Sequence, residues 1–519
     1  MRSPAASILT AAVVALACRE GGGNAASTHR SGHLRILLGG EPASLDPHLY
    51  FDEVSAIVLD NIFDPLVRFG SSMHLTQGLA LRWINPDDRT WRFSLDTAAR
   101  FHDGSPVRAS DVKFSLDRVR SLAGSEIMGF ARHIVETVVV DDQTVDVRTD
   151  TPIAILNSLA FIPIMSEKQV REAGDKIGER PFGSGPYRFV SWERGRRIVL
   201  EASAHHREQP AVRRAEFVIA AGEDASVMKE IETEKPQLAT QLRWTMRPEL
   251  EKRMAVGQRL VSSEGLGVFY LVLNLRPELP GRSGRNPLTD PRVRKALALA
   301  IDRDALARDG VLGAGHPAHQ LVVPQVFGYD PSFTGDPHDP EAAKRLLAAA
   351  GQRSPSLKLI DRRDRSHSVE SVLIEQWARV GVHASLDLAD PEVLPQRLSA
   401  GDFEGVVVGF GCTSGDASEL ISWALHSGGA HGDGSGNYGG YANAIVDQLA
   451  NENLRVFDPR RRLEMLQRAL RIVAEERPLV PLFVSDDLYL ISDTIRWQPT
   501  VNNVVQLRDI GFVPATAGR

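Results

Sequence analysis

The most diagnostic stretch of this chain is Leu79-Ala80-Leu81-Arg82-Trp83, continuing through Trp91-Arg92-Phe93-Ser94-Leu95 to Phe101-His102-Asp103-Gly104-Ser105-Pro106. At 91–95 large apolar residues alternate with polar ones, the pattern of a half-buried β-strand. The segment 101–104 predicts a tight turn after a strand, in which Gly104 takes a positive φ and Asp103 accepts from nearby backbone amides. His102 and Asp103 are therefore expected to be structural and not a catalytic pair.

Length and composition describe an ordinary soluble protein with more than one domain. The chain has 519 residues, of which 43% are hydrophobic and 24% charged. Single domains run to about 50–200 residues, so we expect two or three. The net charge of −6 comes without a basic stripe, which argues against a nucleic-acid partner.

The first 26 residues have the pattern of an export signal. Arg2 precedes an apolar run of ten residues, 8–17, which is too short to span a bilayer as a helix. Ala15-Leu16-Ala17-Cys18 resembles a bacterial lipobox, with cleavage before a lipid-modified Cys18, and the glycines at 21–23 would form a tether. The alternative is ordinary cleavage near Ala25. In both cases we expect an exported protein, in the periplasm or on the outer face of the cytoplasmic membrane.

Cysteine usage agrees with this expectation. The chain has two cysteines, Cys18 and Cys412. If Cys18 carries lipid, no intramolecular disulfide can form, and the fold must be stabilised by its own large core.

Strand and helix signals are interspersed along the chain. Two apolar pairs, 138–140 with 145–147 and 187–190 with 197–200, predict β-hairpins. Three helix starts are marked by an Asp-Pro pair, in which Asp caps free amides and Pro has no amide to leave unsatisfied; they are Asp290-Pro291, Asp339-Pro340 and Asp458-Pro459. The mixture predicts an α/β protein with more than one lobe and some mixed or antiparallel sheet.

The sequence carries no recognised catalytic motif. It contains no Gly-x-Ser-x-Gly, no His-Glu-x-x-His, no Gly-x-x-x-x-Gly-Lys-Ser/Thr and no Cys-x-x-Cys. We therefore expect a protein that is not an enzyme and that has no resident cofactor or metal ion.

Several stretches together resemble the extracellular solute-binding proteins of the dipeptide, oligopeptide and nickel ABC transporter family (family 5). They are Leu45-Asp46-Pro47-His48 with Asp64-Pro65-Leu66-Val67, the opening stretch with Ala109-Ser110-Asp111-Val112-Lys113-Phe114, Gly183-Ser184-Gly185-Pro186-Tyr187, Leu273-Asn274 with Asp290 to Leu297, and the segment from Asn443 to Pro481. Each stretch alone is a weak signal. Their common order along nearly the whole chain makes the resemblance specific.

The resemblance implies a periplasmic-binding-protein-like fold of two hinged lobes with an extra inserted domain. Carried over, the first lobe is discontinuous, at 33–58, 183–268 and 484–519. The inserted domain is expected at 59–182 and the second lobe at 269–483, after a signal and tether at 1–26. Gly183 to Pro186 would form a crossing between domains, where small residues allow the backbone to bend.

The resemblance also implies a function. The chain would be the substrate-binding component of an ABC importer, a monomer that captures a small solute between its lobes and delivers it to a permease in the inner membrane. A lipid-anchored receptor or chaperone that uses the same fold for signalling is the alternative.

In the family's peptide binders, a Trp-x-x-Asp segment of the second lobe supplies a carboxylate for the peptide's α-amino group. Here Phe410 stands at the Trp position and Thr413 at the carboxylate position. Because a buried ammonium needs a charged partner, the resemblance argues against a free peptide amino terminus, unless Asp416 takes the role. A neutral, sugar-like or modified ligand is an equal alternative to a peptide.

Other candidates for the ligand site are aromatic or metal-binding. Trp244 and Tyr270 are expected near the cleft, with plain packing as the alternative for both, and Cys412 is expected to be a small buried residue. A nickel chelate would use imidazoles such as His426 and His431, although their spacing defines no metal site.

Overall fold

The computed structural model describes residues 32–49, 52–70, 73–220, 222–429 and 433–514. The strands are β1 His33–Leu38, β2 Val67–Phe69, β3 Leu75–Gln77, β4 Ala80–Asp87, β5 Thr90–Leu95, β6 Ile134–Asp141, β7 Thr144–Thr149, β8 Tyr187–Glu193, β9 Arg197–Ala202, β10 Arg214–Ile219, β11 Leu238–Leu242, β12 Gln258–Leu273, β13 Gly315–Pro317, β14 Ser356–Arg362, β15 His383–Ala389, β16 Gly405–Gly411, β17 Leu479–Ser492, β18 Ile495–Arg496 and β19 Gly511–Phe512. The predicted hairpins are confirmed as the pairs β6–β7 and β8–β9.

The α-helices are α1 Glu53–Leu59, α2 Ala109–Ser121, α3 Leu156–Leu159, α4 Glu167–Ala173, α5 Asp224–Glu234, α6 Arg247–Arg253, α7 Pro291–Leu299, α8 Arg303–Ala305, α9 Pro340–Ala349, α10 Ser368–Ala378, α11 Leu394–Ala400, α12 Ser418–Leu420, α13 Ala444–Asn453 and α14 Pro459–Glu476. The three predicted Asp-Pro starts are confirmed, since Asp290, Asp339 and Asp458 each accept a hydrogen bond from a first-turn amide of α7, α9 and α14. Within the described ranges, no helix combines the length and the apolar character needed to cross a bilayer.

One sheet of eleven strands runs through the molecule in the order β15-β14-β16-β12-β17-β11-β1-β10-β9-β8, with β13 added against β17. We call β11, β1, β10, β9 and β8 the first half-sheet, and β16, β14 and β15 the second half-sheet. Strands β1, β10 and β11 are parallel neighbours, and so are β14, β15 and β16. The remaining pairs are antiparallel, so the expected mixed sheet is confirmed.

Two long strands, β12 and β17, join the half-sheets. Their antiparallel register is regular from Gln258 to Glu264 and shifts between Glu264 and Val268. We call Glu264–Val268 the crossing segment. It contains Gly265, where a Cβ atom would lie 2.9 Å from a carboxylate oxygen of Asp487. A side chain here would force the Asp487 carboxylate to shift, so glycine leaves room for that carboxylate beside the crossing segment.

A separate four-stranded sheet, β4-β5-β7-β6, carries the stretch that opened the sequence analysis. The predicted turn is confirmed: Gly104 has φ +85°, and Asp103 accepts from the amide of Ser105 at 2.9 Å. His102 is structural, because its Nε2 lies 3.1 Å from the carbonyl oxygen of Gly185. The turn therefore fastens this sheet to the segment that returns to β8.

The buried apolar residues fall into five clusters. One draws its buried members from Leu66 to Ile164, around the four-stranded sheet. Two lie on the first half-sheet, and two lie on the second half-sheet and its helices. Separate cores of this kind are what distinct lobes require.

Candidate functional site

The two half-sheets direct their carboxyl ends at the crossing segment. Strand β11 runs antiparallel to β17, and its last residue, Leu242, lies opposite Leu488. From the other side, β16 ends at Gly411, which lies opposite Gly267 within the crossing segment. Ligands of open α/β sheets bind outside the carboxyl ends of the strands. The space between these two edges is therefore the candidate site.

The edge of the first half-sheet carries a cluster of polar side chains from distant parts of the chain, which we call the Glu53 cluster: Glu53, Gln241, Asp487, Tyr489 and Asn503. The Asn503 amide donates to the Glu53 carboxylate, and the Tyr489 hydroxyl donates to Asn503. Gln241 and Asn503 have φ values of +56° and +55°. Left-handed backbone at residues other than glycine is costly and concentrates at ligand sites.

Glu53 and Asp487, the two carboxylates of the Glu53 cluster, lie close enough to interact, and among the described residues neither forms an ion pair with a cation. Burial, followed by the charge of Asp487, raises the pKa of Glu53 to about 7. Burial also raises the pKa of Asp487 to about 6. No described Lys or Arg forms an ion pair with either group. Glu53 is nevertheless an exposed residue of the surface. A carboxylate enclosed by protein yet still accessible is what the wall of a cleft presents.

The edge of the second half-sheet presents a carboxylate that the sequence analysis missed. The Thr413 hydroxyl donates to one oxygen of Glu419 at 3.3 Å. The amide and hydroxyl of Ser414 donate to the other oxygen, at 3.0 and 2.7 Å. Burial raises the pKa of Glu419, and these hydrogen bonds offset part of the shift. Within the described ranges no cation pairs with Glu419, so the segment after β16 holds a fixed, uncompensated carboxylate.

The Asp416 carboxylate, by contrast, is already paired with an arginine of the same chain. It is 5% exposed and forms a two-pronged ion pair with Arg462 of α14, one contact measuring 2.9 Å. Its carboxylate also accepts from the Ser418 amide at 2.9 Å. A ligand ammonium would have to displace Arg462 from a nearly dry contact.

Cys412 and Tyr270 lie in the core beneath this edge. They are 3% and 1% exposed and belong to the same apolar cluster. Burial raises the pKa of the Cys412 thiol well above its usual value, so the reactive thiolate is disfavoured. Among the described residues, the Tyr270 hydroxyl has no hydrogen-bond partner. Both side chains are buried in the apolar cluster of the second half-sheet, as was expected of Cys412.

Phe410, at the end of β16, belongs to an aromatic stack. Its ring lies 4.6 Å from the Trp423 ring at an interplanar angle of 13°. The Trp423 ring meets Tyr438 edge-on at 6.1 Å. All three rings are only partly buried, so together they offer an apolar surface beside the Thr413 segment.

Trp244 follows the carboxyl end of β11. Its indole ring packs edge-on against Phe269 at 5.7 Å and Phe483 at 6.2 Å, and those two rings stack on each other. The indole nitrogen is buried and has no hydrogen-bond partner in the part of the chain that the structure describes. Trp244 thus joins the first edge to the crossing strands and keeps one unused donor.

The region that carries the four-stranded sheet touches the second half-sheet next to this segment. The Asn157 side chain donates to the carbonyl oxygen of Ser414 at 3.0 Å. Arg132 forms an ion pair with Asp433 at 3.2 Å. Asn157 therefore contacts Ser414, the residue whose amide and hydroxyl donate to Glu419, so this region is in direct contact with the candidate site.

Of the two histidines considered for a nickel chelate, His426 already has hydrogen-bond partners and His431 is not among the described residues. His426 is 5% exposed, accepts from the Gly428 amide at 3.2 Å and contacts Asn451 at 3.2 Å. His431 lies outside the described residues. A nickel chelate therefore finds no ready imidazole at His426.

A different cavity lies inside the second lobe region, between α14 and the loop at 319–336. Its lining includes Arg303, Asp330, Asp336, Arg471 and Arg477. The acidic groups are already paired with Arg471 and Arg477. Since it shares no residue with the two facing edges, we do not assign it to the site.

Comparison with known proteins identifies the family of the chain. Residues 74–432 match the family model described as bacterial extracellular solute-binding proteins, family 5, middle region. The chain is 26% identical over 466 residues to the glutathione-binding protein GsiB of Escherichia coli K12, covering 86% of this chain and 88% of that protein. It is also 26% identical over 480 residues to the dipeptide-binding protein of the same organism, covering 85% and 86%.

Solved structures show the same fold. The substrate-binding protein CtaP of Listeria monocytogenes superposes with a TM-score of 0.81 at 20% identity, covering 93% of this chain and 99% of that one. DppA of Helicobacter pylori, solved with the peptide STSA, gives a TM-score of 0.75 at 22% identity, covering 93% and 98%. The predicted periplasmic-binding-protein fold is confirmed. The chain belongs to the bacterial extracellular solute-binding proteins of family 5, and its function is that of the substrate-binding component of an ABC importer.

Proposed function

We propose that this protein captures a small solute that carries at least one positively charged amine, and delivers it to an ABC permease. The observation that carries the proposal is the set of carboxylates at the two facing edges, Glu53 and Asp487 on one side and Glu419 on the other. Each has a raised pKa and none has a cationic partner among the described residues. A partly desolvated carboxylate without a cation is costly, and a bound ammonium offsets that cost.

Glu419 removes the objection raised by Thr413. The family's carboxylate position is a hydroxyl in this chain, but that hydroxyl donates to Glu419 and helps to fix it at the same segment. An amine held there would be near the partly buried ring of Phe410, which suits an apolar side chain of the ligand. We therefore favour a short peptide or a related amine over a neutral sugar. The names of the relatives, glutathione-binding and dipeptide-binding, support the same class.

The proposed domains follow the predicted bounds: a first lobe at 33–58, 183–268 and 484–519, an inserted domain at 59–182, and a second lobe at 269–483. The separate apolar clusters support a division into lobes and an inserted domain. The cluster of the first half-sheet also contains Leu59, Ile62, Phe63, Met165 and Ile177, so the core of the inserted domain itself is drawn from Leu66 to Ile164. The lobes would hinge at the crossing segment, where the register of β12 and β17 shifts. Closure would bring Glu419 towards the Glu53 cluster and exclude water from the solute.

The proposal includes export and a lipid anchor at Cys18, which lies outside the described residues. The lipobox pattern of the sequence supports the anchor, and the extracellular family supports export. Metabolic labelling with palmitate tests the anchor: the wild-type chain should take up label and Cys18→Ala should not. Label retained by Cys18→Ala would exclude this attachment site.

We also propose that the protein releases its solute unchanged. The family consists of binding proteins, and the sequence carries none of the catalytic motifs that were sought. Mass spectrometry of a peptide incubated with the purified protein should recover only the starting compound. A time-dependent product that requires the protein would show catalysis.

The main experiment compares ligands that differ only in the amine. Short peptides with free amino termini, the same peptides with acetylated amino termini, and neutral sugars are tested by thermal shift, since a ligand of the native state raises its stability. Free peptides should give the largest shifts and acetylated ones little. Equal or larger thermal shifts with acetylated peptides or sugars would show that the protein does not recognise a free amine.

A further inference from the structure

A second group of side chains lies at the carboxyl end of β14 and the start of α10. Asp361 is the penultimate residue of β14, His367 precedes α10, and Glu370 is in its first turn. One ligand atom from each lies within 4.8 Å of the other two. The chain therefore brings two carboxylates and an imidazole, which are all metal-ligating groups, to one point.

The cluster is almost closed to solvent, and its charges are poorly compensated. Asp361 is 4% exposed and Glu370 is 6% exposed. His367 lies with Nδ1 2.9 Å from Asp361. Within the described ranges no other residue donates a hydrogen bond to the Glu370 carboxylate, which faces Asp361 and His367. Among the described residues, the Glu370 carboxylate thus has at most its own backbone amide as a hydrogen-bond donor, and a carboxylate buried to this degree is unfavourable unless a further group binds it.

Among the described residues, the one Arg or Lys that forms an ion pair with this cluster is loosely held, and Arg362, which also lies near Asp361, donates to Asp364 instead. An Arg365 nitrogen lies 3.8 Å from Asp361, and the Arg365 side chain is 49% exposed. At that distance and exposure it contributes little, and it can move into solvent. Arg365 therefore forms no ion pair with Glu370. It also leaves the side of His367, which is 22% exposed, open to an approaching ion.

The ligand set selects a class of metal ion. An imidazole nitrogen with carboxylate oxygens suits Zn²⁺ and its neighbours among the divalent transition metals, whereas Ca²⁺ prefers six or more oxygens. Ligand distances of about 2.0–2.2 Å fit groups that lie close together, after a small widening of the contact between His367 and Asp361. Three protein ligands leave at least one position for water.

We propose that Asp361, His367 and Glu370 form a binding site for one divalent transition metal ion, with Zn²⁺ as the representative ion. The site shares no residue with the solute cleft and does not depend on the proposed ligand. It lies on β14, the strand beside β16, and Ser368 at the start of α10 donates to the carbonyl oxygen of Gly310 at 2.6 Å. An ion bound here would fix the start of α10 against β14 in the second half-sheet.

The test is a Zn²⁺ titration of the tag-free mature protein after removal of metal by dialysis against a chelator. Calorimetry and elemental analysis should give about one Zn²⁺ per chain. His367→Gln and Glu370→Gln should each weaken Zn²⁺ binding by about 10-fold or more, since loss of even an outer partner costs about 10–100-fold. The matched control is His338→Gln, because His338 is exposed and away from the cluster.

Thermal unfolding of each metal-free variant shows that it is folded. The visible absorption of bound Co²⁺, which reports coordination, should be lost in His367→Gln and kept in His338→Gln. The proposal is overturned if the wild type binds no Zn²⁺ stoichiometrically, or if His367→Gln and Glu370→Gln bind as the wild type does.

Discussion

Replacing Glu419 with Gln removes one charge from the proposed amine subsite while it keeps the size of the side chain. Truncating one partner of a buried, hydrogen-bonded charge pair costs about 2–5 kcal/mol in binding. Glu419 is half-buried and already accepts three hydrogen bonds, which weakens its attraction for an added cation. We therefore expect the lower part of that range, about 2–3 kcal/mol, or about 30- to 150-fold in Kd.

Isothermal titration calorimetry of the purified mature protein measures this effect, with the free-amine peptide that gives the largest thermal shift. The matched control is Glu278→Gln, an exposed acidic residue of the same predicted lobe. A double-mutant cycle sharpens the test, because acetylation of the ligand amine should remove most of the effect of Glu419→Gln. The reasoning is refuted if Glu419→Gln leaves the affinity unchanged, or weakens free and acetylated peptides equally.

Three further predictions concern stability, measured by urea or thermal unfolding without ligand. The pKa of Asp487 is raised to about 6, so the folded state keeps a proton that the unfolded state loses. The stability of the wild type relative to Asp487→Asn should therefore fall as pH rises from about 4 to 6. A stability difference between the two proteins that does not change with pH would contradict this. Asp416→Asn leaves Arg462 unpaired and should cost about 3 kcal/mol; a cost below about 1 kcal/mol would show that the pair is dispensable. Gly183→Ala places a methyl group against the backbone of Ile62 and should lower the free energy of unfolding by about 2 kcal/mol. In Gly129→Ala the added methyl group contacts no other atom, so the stability should hardly change. Equal losses of stability in the two variants would contradict the packing argument.

Local chemistry made much of the fold predictable. The turn at Gly104 and the cap at Asp290 depend on residues within three positions of each other, so their geometry can be derived from the sequence. The hairpins follow for the same reason. The order of the eleven-stranded sheet does not, because β12 pairs with β17 across about 200 residues. The mixed strand and helix signals predicted more than one lobe, and the family resemblance supplied how the lobes are arranged along the chain.

The site was less predictable because its partners come from distant segments. Asp416 was a reasonable substitute for the missing carboxylate until the structure showed Arg462, 46 residues away, paired with it. Glu419 could have been noticed as the next acidic residue after Asp416, close to Thr413 and Ser414, whose hydroxyls are natural donors to a carboxylate. No local pattern relates Glu53 to Asp487.

The metal-ligating cluster escaped the sequence analysis for a related reason. Asp361 belongs to a strand, while His367 and Glu370 belong to the start of the next helix, so no fixed motif spacing connects them. Only the turn between β14 and α10 brings them to one point.

A crystal structure of the protein with its best free-amine ligand would show where the solute amine binds. If it binds between the two facing edges, we expect the amine nitrogen within hydrogen-bonding distance of Glu419 and the rest of the ligand between β16 and the Glu53 cluster. A ligand bound in the cavity beside α14, or one in the cleft whose amine contacts none of Glu419, Glu53 and Asp487, would contradict this proposal.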